Sequence, residues 1–374
     1  MQALTLSPAV LKWAANQAGE SLESLAQVVV KRERDRAGIL VGRLTSPQAE
    51  KVAKLTGVPF GLLFLKKPPV IERPTIPDLR QTTEPAPLSR DFREVFEDTL
   101  RKQQWYLDRL RELGARPLGF VGKFPAQERV KSEDIASDIV SVLGISPALR
   151  IAAKSTDEYF SLIAGKAEAA GVLVMKSGIV KSNTRRALSV KEFRGFAIVD
   201  PLAPLVFING RDALVATVFT LVHELAHIWM GQSGISDLAT PSLKGIERTC
   251  NRVAADVLVP RAEFTREWSV SPIVDRIAKH FRVSRLVIAR RALDLGKIDQ
   301  TRYDALASAP VAQPRTSGGG SAYRTIPTRN SKRLTSALVK SALAGETLLR
   351  EAASLLSVRP ETVMELGRRV AQIG

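Results

Sequence analysis

The stretch ATVFTLVHELAHIWMGQSG, residues 216–234, restricts this chain more than any other. It is apolar almost all round, so as a helix it has no face to offer water and must lie inside a folded domain. Yet it carries His223, Glu224 and His227 within five residues. Burying an unpaired polar group costs on the order of 2–7 kcal/mol. Something in the interior must therefore satisfy three polar side chains at once.

Helical geometry suggests what that is. His223 and His227 are four residues apart, so both rings leave one face, a turn apart. That spacing can clamp a single metal ion through two imidazoles. Glu224, beside His223, is placed to move protons for an attacking water rather than to serve as a ligand. The chain has only three histidines, and two of them fall in this motif.

Catalytic zinc commonly takes three protein ligands and leaves one position open. The remaining histidine, His280, is not in the right place to be the third. The segment KGIERTCNRVAADVLVP (244–260) offers Glu247 on a second predicted helix. Ile246, Cys250, Val253 and Val257 form its packed stripe, and Glu247 and Asn251 share the adjacent face. Asp256 and Asp237 are weaker alternatives. The expected site is therefore His223, His227 and Glu247 around Zn2+, with Glu224 as the catalytic carboxylate.

At 374 residues the chain should hold two or three domains. Its 45% hydrophobic and 25% charged residues are a globular composition. A single cysteine, Cys250, excludes an internal disulfide framework and suits a reducing compartment. The N-terminus lacks a basic region before an apolar run, and no run approaches the roughly 18 apolar residues of a membrane span. A cytoplasmic protein with no membrane role is expected.

Net charge is +17 and unevenly placed. Residues 271–374 hold 18 Lys and Arg against 8 Asp and Glu. Such a surplus favours acidic partners, with DNA the first candidate. Within SPIVDRIAKHFRVSRLVIARRALDLGKI (271–298), which reads as helix, turn, helix, Arg282, Arg285, Arg290 and Arg291 are the candidate phosphate contacts. A similar pattern recurs in TLLREAASLLSVRPETVMELGRRV (347–370).

Along the chain, 1–65 reads as a helical, repressor-like helix-turn-helix region. Residues 66–87 form a proline-rich linker, and 88–150 a helical segment with a long helix from Leu88 to about Leu113. β-rich stretches at 171–180, 193–200 and 204–210 precede the histidine helix. They make 151–270 an α+β metallopeptidase domain: a short sheet plus the histidine helix, zincin-like, flanked by mostly helical regions. The basic segment 271–308, a flexible linker at 309–333 containing SGGGS, and C-terminal helices at 334–374 complete the chain.

FTLVHELAHIWMGQSG followed by ERTCNRVAADVLVP resembles the ImmA/IrrE family of zinc-dependent metallo-endopeptidases. Its members show a Phe-Thr-Leu-x-His-Glu-Leu-x-His helix and then Glu-x-x-Ala-Asn-x-Phe-Ala-Ala-x-Leu-Leu-Met-Pro. Here Cys250 replaces the alanine and Val253 the phenylalanine, both changes of packing. The resemblance is strongest over about 150–300. It extends more loosely to 1–65 and to IPDLRQ (76–81), as in longer members fused to a repressor-like helix-turn-helix. It implies that His223, His227 and Glu247 are zinc ligands and that Glu224 is catalytic. It also implies regulatory proteolysis of a repressor-type or antitoxin-like protein. An edge strand would bind the substrate peptide by β-augmentation. Two other readings stand beside it: a DNA-binding transcriptional regulator with a structural or vestigial metal site, and the toxin-like half of a two-gene module. The sequence leaves the oligomeric state open.

Overall fold

The computed structural model describes residues 3–18, 20–69, 88–125, 130–236, 245–308 and 322–371. Most of the proline-rich linker, all of SGGGS and Asp237 lie outside these residues. The chain divides into two compact units, residues 1–75 with 86–94, and residues 76–85 with 95–374.

In the first unit a short antiparallel pair, Ala3–Thr5 with Arg43–Thr45, brackets the helices Pro8–Gln17, Leu22–Val29 and Glu33–Leu40. The Ser21 hydroxyl accepts the Ser24 N–H at 3.0 Å and starts the second of these. Thr45 and Gln48 form a capping box that starts Ser46–Thr56. Leu11, Leu25, Val29, Ile39 and Val52 fill the core. Val30–Arg32 joins the second and third helices, so the basic run KRERDR spans their turn and the start of Glu33–Leu40.

In the second unit the central feature is a four-stranded sheet ordered Leu173–Ser177, Leu205–Asn209, Gly195–Ile198, Gly234–Ser236. The first pair is parallel and the others antiparallel. Val174, Ala197, Val206 and Ile208 face the helix Leu214–Trp229 in one core. On the other face Phe196 stacks on Phe207 at 4.9 Å and meets Phe96 of the long helix Arg90–Glu112 edge-on at 5.5 Å. Both faces are covered, which is why Leu205–Asn209 is buried along its whole length instead of alternating.

The histidine helix, Leu214–Trp229, lies between this sheet and the helices Ser132–Leu143, Thr156–Ala170 and Ile246–Leu258. Its last carbonyls, those of Ile228 and Trp229, accept N–H groups of Gly122 and Phe124 at 3.0 Å. Gly231 turns the chain out of the helix with φ +68°, and a Cβ there would come within 3.2 Å of the Gly122 Cα. Trp229 stacks on Phe120 and donates from Nε1 to the Asp138 carboxylate at 2.8 Å.

Several boundaries differ from the sequence reading. The segment 171–180 breaks into two strands at Gly178, and Ile179–Val180 pairs instead with Asn183–Ala187 as a separate hairpin. The segments 95–150, 271–308 and 334–374 share one compact unit with the metal-site region. Ile135, Ala136, Ile139 and Leu143 enter the same core as the histidine helix, as do Ile277, Phe281 and Ile288. Residues 322–330, expected as linker, form a helix with Pro327 inside it, packed on the strand Leu173–Ser177. The helices Lys332–Leu343, Leu349–Leu356 and Pro360–Ala371 then pack on one another.

Candidate metal centre

Helical periodicity puts His223 and His227 on the side of Leu214–Trp229 that meets the helix Ile246–Leu258, where Glu247 sits in the first turn. Glu247 Oε2 lies 3.2 Å from His223 Nε2, and its Oε1 lies 3.0 Å from His227 Nε2. The two Nε2 atoms are 3.1 Å apart. His223, Glu224 and His227 are fully buried, and Glu247 is 1% exposed. Among the described residues this trio alone forms a group of three His, Cys, Asp or Glu able to hold a metal ion.

The donor set fits such an ion. Tetrahedral zinc with ligands at about 2.0–2.2 Å would separate its ligand atoms by roughly 3.3–3.6 Å, close to the spacing found. Both Glu247 oxygens are buried and, among the described residues, have no hydrogen-bond partner; the two imidazole nitrogens lie beside them. Asn251, one turn beyond Glu247, fixes the His223 ring. Its Oδ1 accepts the Nδ1 proton at 2.9 Å, which leaves the Nε2 lone pair turned toward Glu247.

Electrostatics favour the state that binds a cation. Burial pushes the Glu247 carboxyl up, but His223 and His227 outweigh it and bring its pKa to about 2. Burial pulls His227 down, toward the neutral imidazole that a metal needs. Burial raises the Cys250 thiol, and Glu247 and Glu224 add to the effect, so this cysteine stays protonated and packs against the Met230 sulfur at 3.7 Å.

Glu224 faces the sheet. A Cβ on Gly195 would sit 2.7 Å from Glu224 Oε1, 2.8 Å from Thr220 Cγ2 and 3.0 Å from the Phe207 carbonyl oxygen. A glycine in the strand Gly195–Ile198 therefore makes room for the carboxylate. Sequence reasoning missed it, since a glycine at the edge of an apolar run reads as a turn.

Asp256, an alternative ligand by sequence, is held instead by Arg291 at 2.7 Å and by the Ser132 hydroxyl at 2.8 Å. His280 pairs with Glu263 at 2.9 Å outside the metal cluster.

The four arginines of the basic segment separate. Arg291 is buried, bonded to Asp256 and to the Val259 carbonyl, because its helix turns that face into the core. Arg282 ends Val274–Phe281 in a left-handed turn and donates to the carbonyls of Arg150 and Ala153. A phosphate contact needs an exposed guanidinium, whereas Arg291 is buried and Arg282 half-buried. Arg285 and Arg290 remain about half exposed, paired with Asp275 and Asp294.

Two imidazoles and a carboxylate converging in a dry interior, with a second carboxylate next to the first histidine, make a centre of the metallopeptidase type. Residues 167–293, which contain all four side chains, match the peptidase family model described as the IrrE N-terminal-like domain. This match supports the ImmA/IrrE resemblance and a metallopeptidase. Residues 330–369 match a model described as a domain of unknown function (DUF8813). No curated protein and no solved structure matches the chain.

Proposed function

We propose that this protein is a zinc-dependent endopeptidase of regulatory proteolysis that cleaves a partner transcriptional repressor or an antitoxin-like protein. The observation that carries the reading is the buried trio His223, His227 and Glu247 with Glu224 on the same helix. A zinc ion held by the trio would supply Lewis acidity, polarising the scissile carbonyl and acidifying water.

The chain's own groups do the remaining work. Asn251 keeps the His223 Nε2 lone pair inward. The Glu224 carboxylate takes the proton of the attacking water and returns it to the departing amine. Burial in a dry interior strengthens both interactions.

The strand Leu173–Ser177 is covered by the helix Ala322–Asn330, whereas Gly234–Ser236 forms the other edge of the sheet. That second edge is the one proposed to pair with an extended substrate. With all four site residues buried, a peptide reaches them only if part of the surrounding chain moves, which suits an enzyme directed to one partner.

The test is co-expression of the wild type or Glu224→Gln with repressor-type proteins encoded beside it, followed by mass spectrometry of the fragments. A single new cleavage site made by the wild type and absent with Glu224→Gln, at equal zinc content, is the expected result. Fragments that persist with Glu224→Gln would contradict the assignment.

A further inference from the structure

The last three helices, Lys332–Leu343, Leu349–Leu356 and Pro360–Ala371, make up most of the stretch that matches a domain of unknown function. Their layout repeats an earlier one. Val274–Phe281 has eight residues, and a turn that begins with the left-handed Arg282 joins it to Arg285–Asp294. Leu349–Leu356 also has eight residues, and a turn that begins with the left-handed Ser357 (φ +55°) joins it to Pro360–Ala371. The buried positions keep the same register: Ile277, Phe281 and Ile288 in the first pair correspond to Ala352, Leu356 and Val363 in the second. Two helices joined by so short a turn, packed on a third, form the helix-turn-helix unit that lays its last helix in the major groove of DNA.

The two copies differ where contact with DNA would be decided. In the first, Arg291 takes the place of Leu366 and is tied inward to Asp256, while Arg285 and Arg290 pair with Asp275 and Asp294. In the second, Leu366 is buried, and Gly367 lets its helix approach Val339 and Leu343 of Lys332–Leu343. Arg350, in the first turn of the middle helix, and Arg359, just before the last one, are exposed. Among the described residues no carboxylate pairs with either guanidinium. A second observation points to the same place. The hairpin of Ile179–Val180 and Asn183–Ala187 carries Lys181, Arg185 and Arg186 and no acid, and Arg185 is exposed. The Ser182 hydroxyl donates to the Ser357 carbonyl, so this basic hairpin lies against the turn between the two helices.

We infer that residues 332–371 bind duplex DNA as a helix-turn-helix unit. Pro360–Ala371 enters the major groove, Arg350 and Arg359 hold phosphates, and the hairpin adds Arg185 beside the turn. Charge favours this partner over a protein. Residues 322–371 hold nine Lys and Arg against four Glu, and Glu365 is already taken by Arg368 and Arg369. Glu361, Met364 and Arg368 form the exposed stripe of the last helix. A carboxylate there can accept from a cytosine amine and a guanidinium can donate to a guanine edge. This inference stands apart from the peptidase reading.

The experiment is fluorescence anisotropy of the full chain with a labelled, mixed-sequence DNA duplex about three helical turns long, repeated over a range of salt concentrations. Joint replacement Arg350→Gln and Arg359→Gln should weaken binding roughly tenfold or more and lower the slope of log affinity against log salt by about 2. Arg285→Gln with Arg290→Gln, on the first copy, should leave affinity and slope unchanged. If the Arg350 and Arg359 variant loses its helical circular dichroism, Arg185→Gln on the hairpin replaces it, and the slope should fall by about 1. Undiminished affinity and slope in the folded variants, or a loss confined to the Arg285 and Arg290 variant, would overturn the inference. Absence of duplex binding by the wild type would overturn it too and leave this face to a protein partner.

Discussion

Asn251 offers no ligand atom to the trio, yet its Oδ1 decides which nitrogen of His223 carries the proton. Groups that orient a ligand in this way typically govern metal affinity by 10–100-fold. Asn251→Ala should therefore weaken zinc by about that factor while the chain stays folded, as read by competition with a fluorescent chelator. An unchanged affinity would remove Asn251 from the centre. Gly195 makes a different test. Its missing Cβ leaves the space that Glu224 Oε1 occupies, so Gly195→Ala should displace the carboxylate. Misplacing a reacting group by about 1 Å can cost on the order of 100-fold in rate. Cleavage should fall by that much with zinc content kept. At this scale the ligands were legible because a four-residue spacing survives any tertiary arrangement. The part played by Gly195 was not, because it depends on a strand and a helix distant in sequence.

Single elements carry the energetics that hold the ligands. The histidine helix is anchored at its C-terminal end by Trp229, which has both an aromatic neighbour and a carboxylate acceptor. Trp229→Ala should cost roughly 3–5 kcal/mol in a urea unfolding experiment, and a loss below 1 kcal/mol would show that the anchor is unimportant. A second anchor is polar. Glu263 of Arg261–Val270 joins Arg150, which is buried, and His280. Burial raises the Glu263 pKa, but hydrogen bonds from His280 and Arg150 outweigh it and leave it lowered. A carboxylate with a depressed folded-state pKa stabilises the fold above its ordinary pKa, and that contribution is lost as pH falls through the folded value. Acid unfolding from about pH 5 downward should therefore be less steep for Glu263→Gln than for the wild type, whose stability at pH 7 should be the higher. Equal pH dependence would contradict this. Arg282 and Arg291 show where reading single elements fails. Helical spacing separates apolar from charged faces, but it cannot reveal that Asp256 or two backbone carbonyls wait on the other side.

For the whole second unit, the α+β arrangement followed from short apolar strands ahead of an apolar helix. What could not be read was closure. The strand Gly234–Ser236 has only three residues and no periodicity to detect. The helix Ala322–Asn330 follows SGGGS and contains Pro327, both ordinary marks of a linker. It forms because the exposed side of Leu173–Ser177 needs a cover. Removing residues 322–374 should uncover that strand, lower the melting temperature and promote association, as light scattering would detect. A monomeric truncation with unchanged melting would show that the C-terminal helices are appended rather than integral. The central claim is that two successive helices, Leu214–Trp229 and Ile246–Leu258, bring one metal site together. Elemental mass spectrometry of the purified chain beside His227→Ala and Glu247→Ala tests it most directly. About one zinc per wild-type chain and a clear loss in both folded variants is the expected result. No zinc after reconstitution, or zinc retained without Glu247, would contradict it.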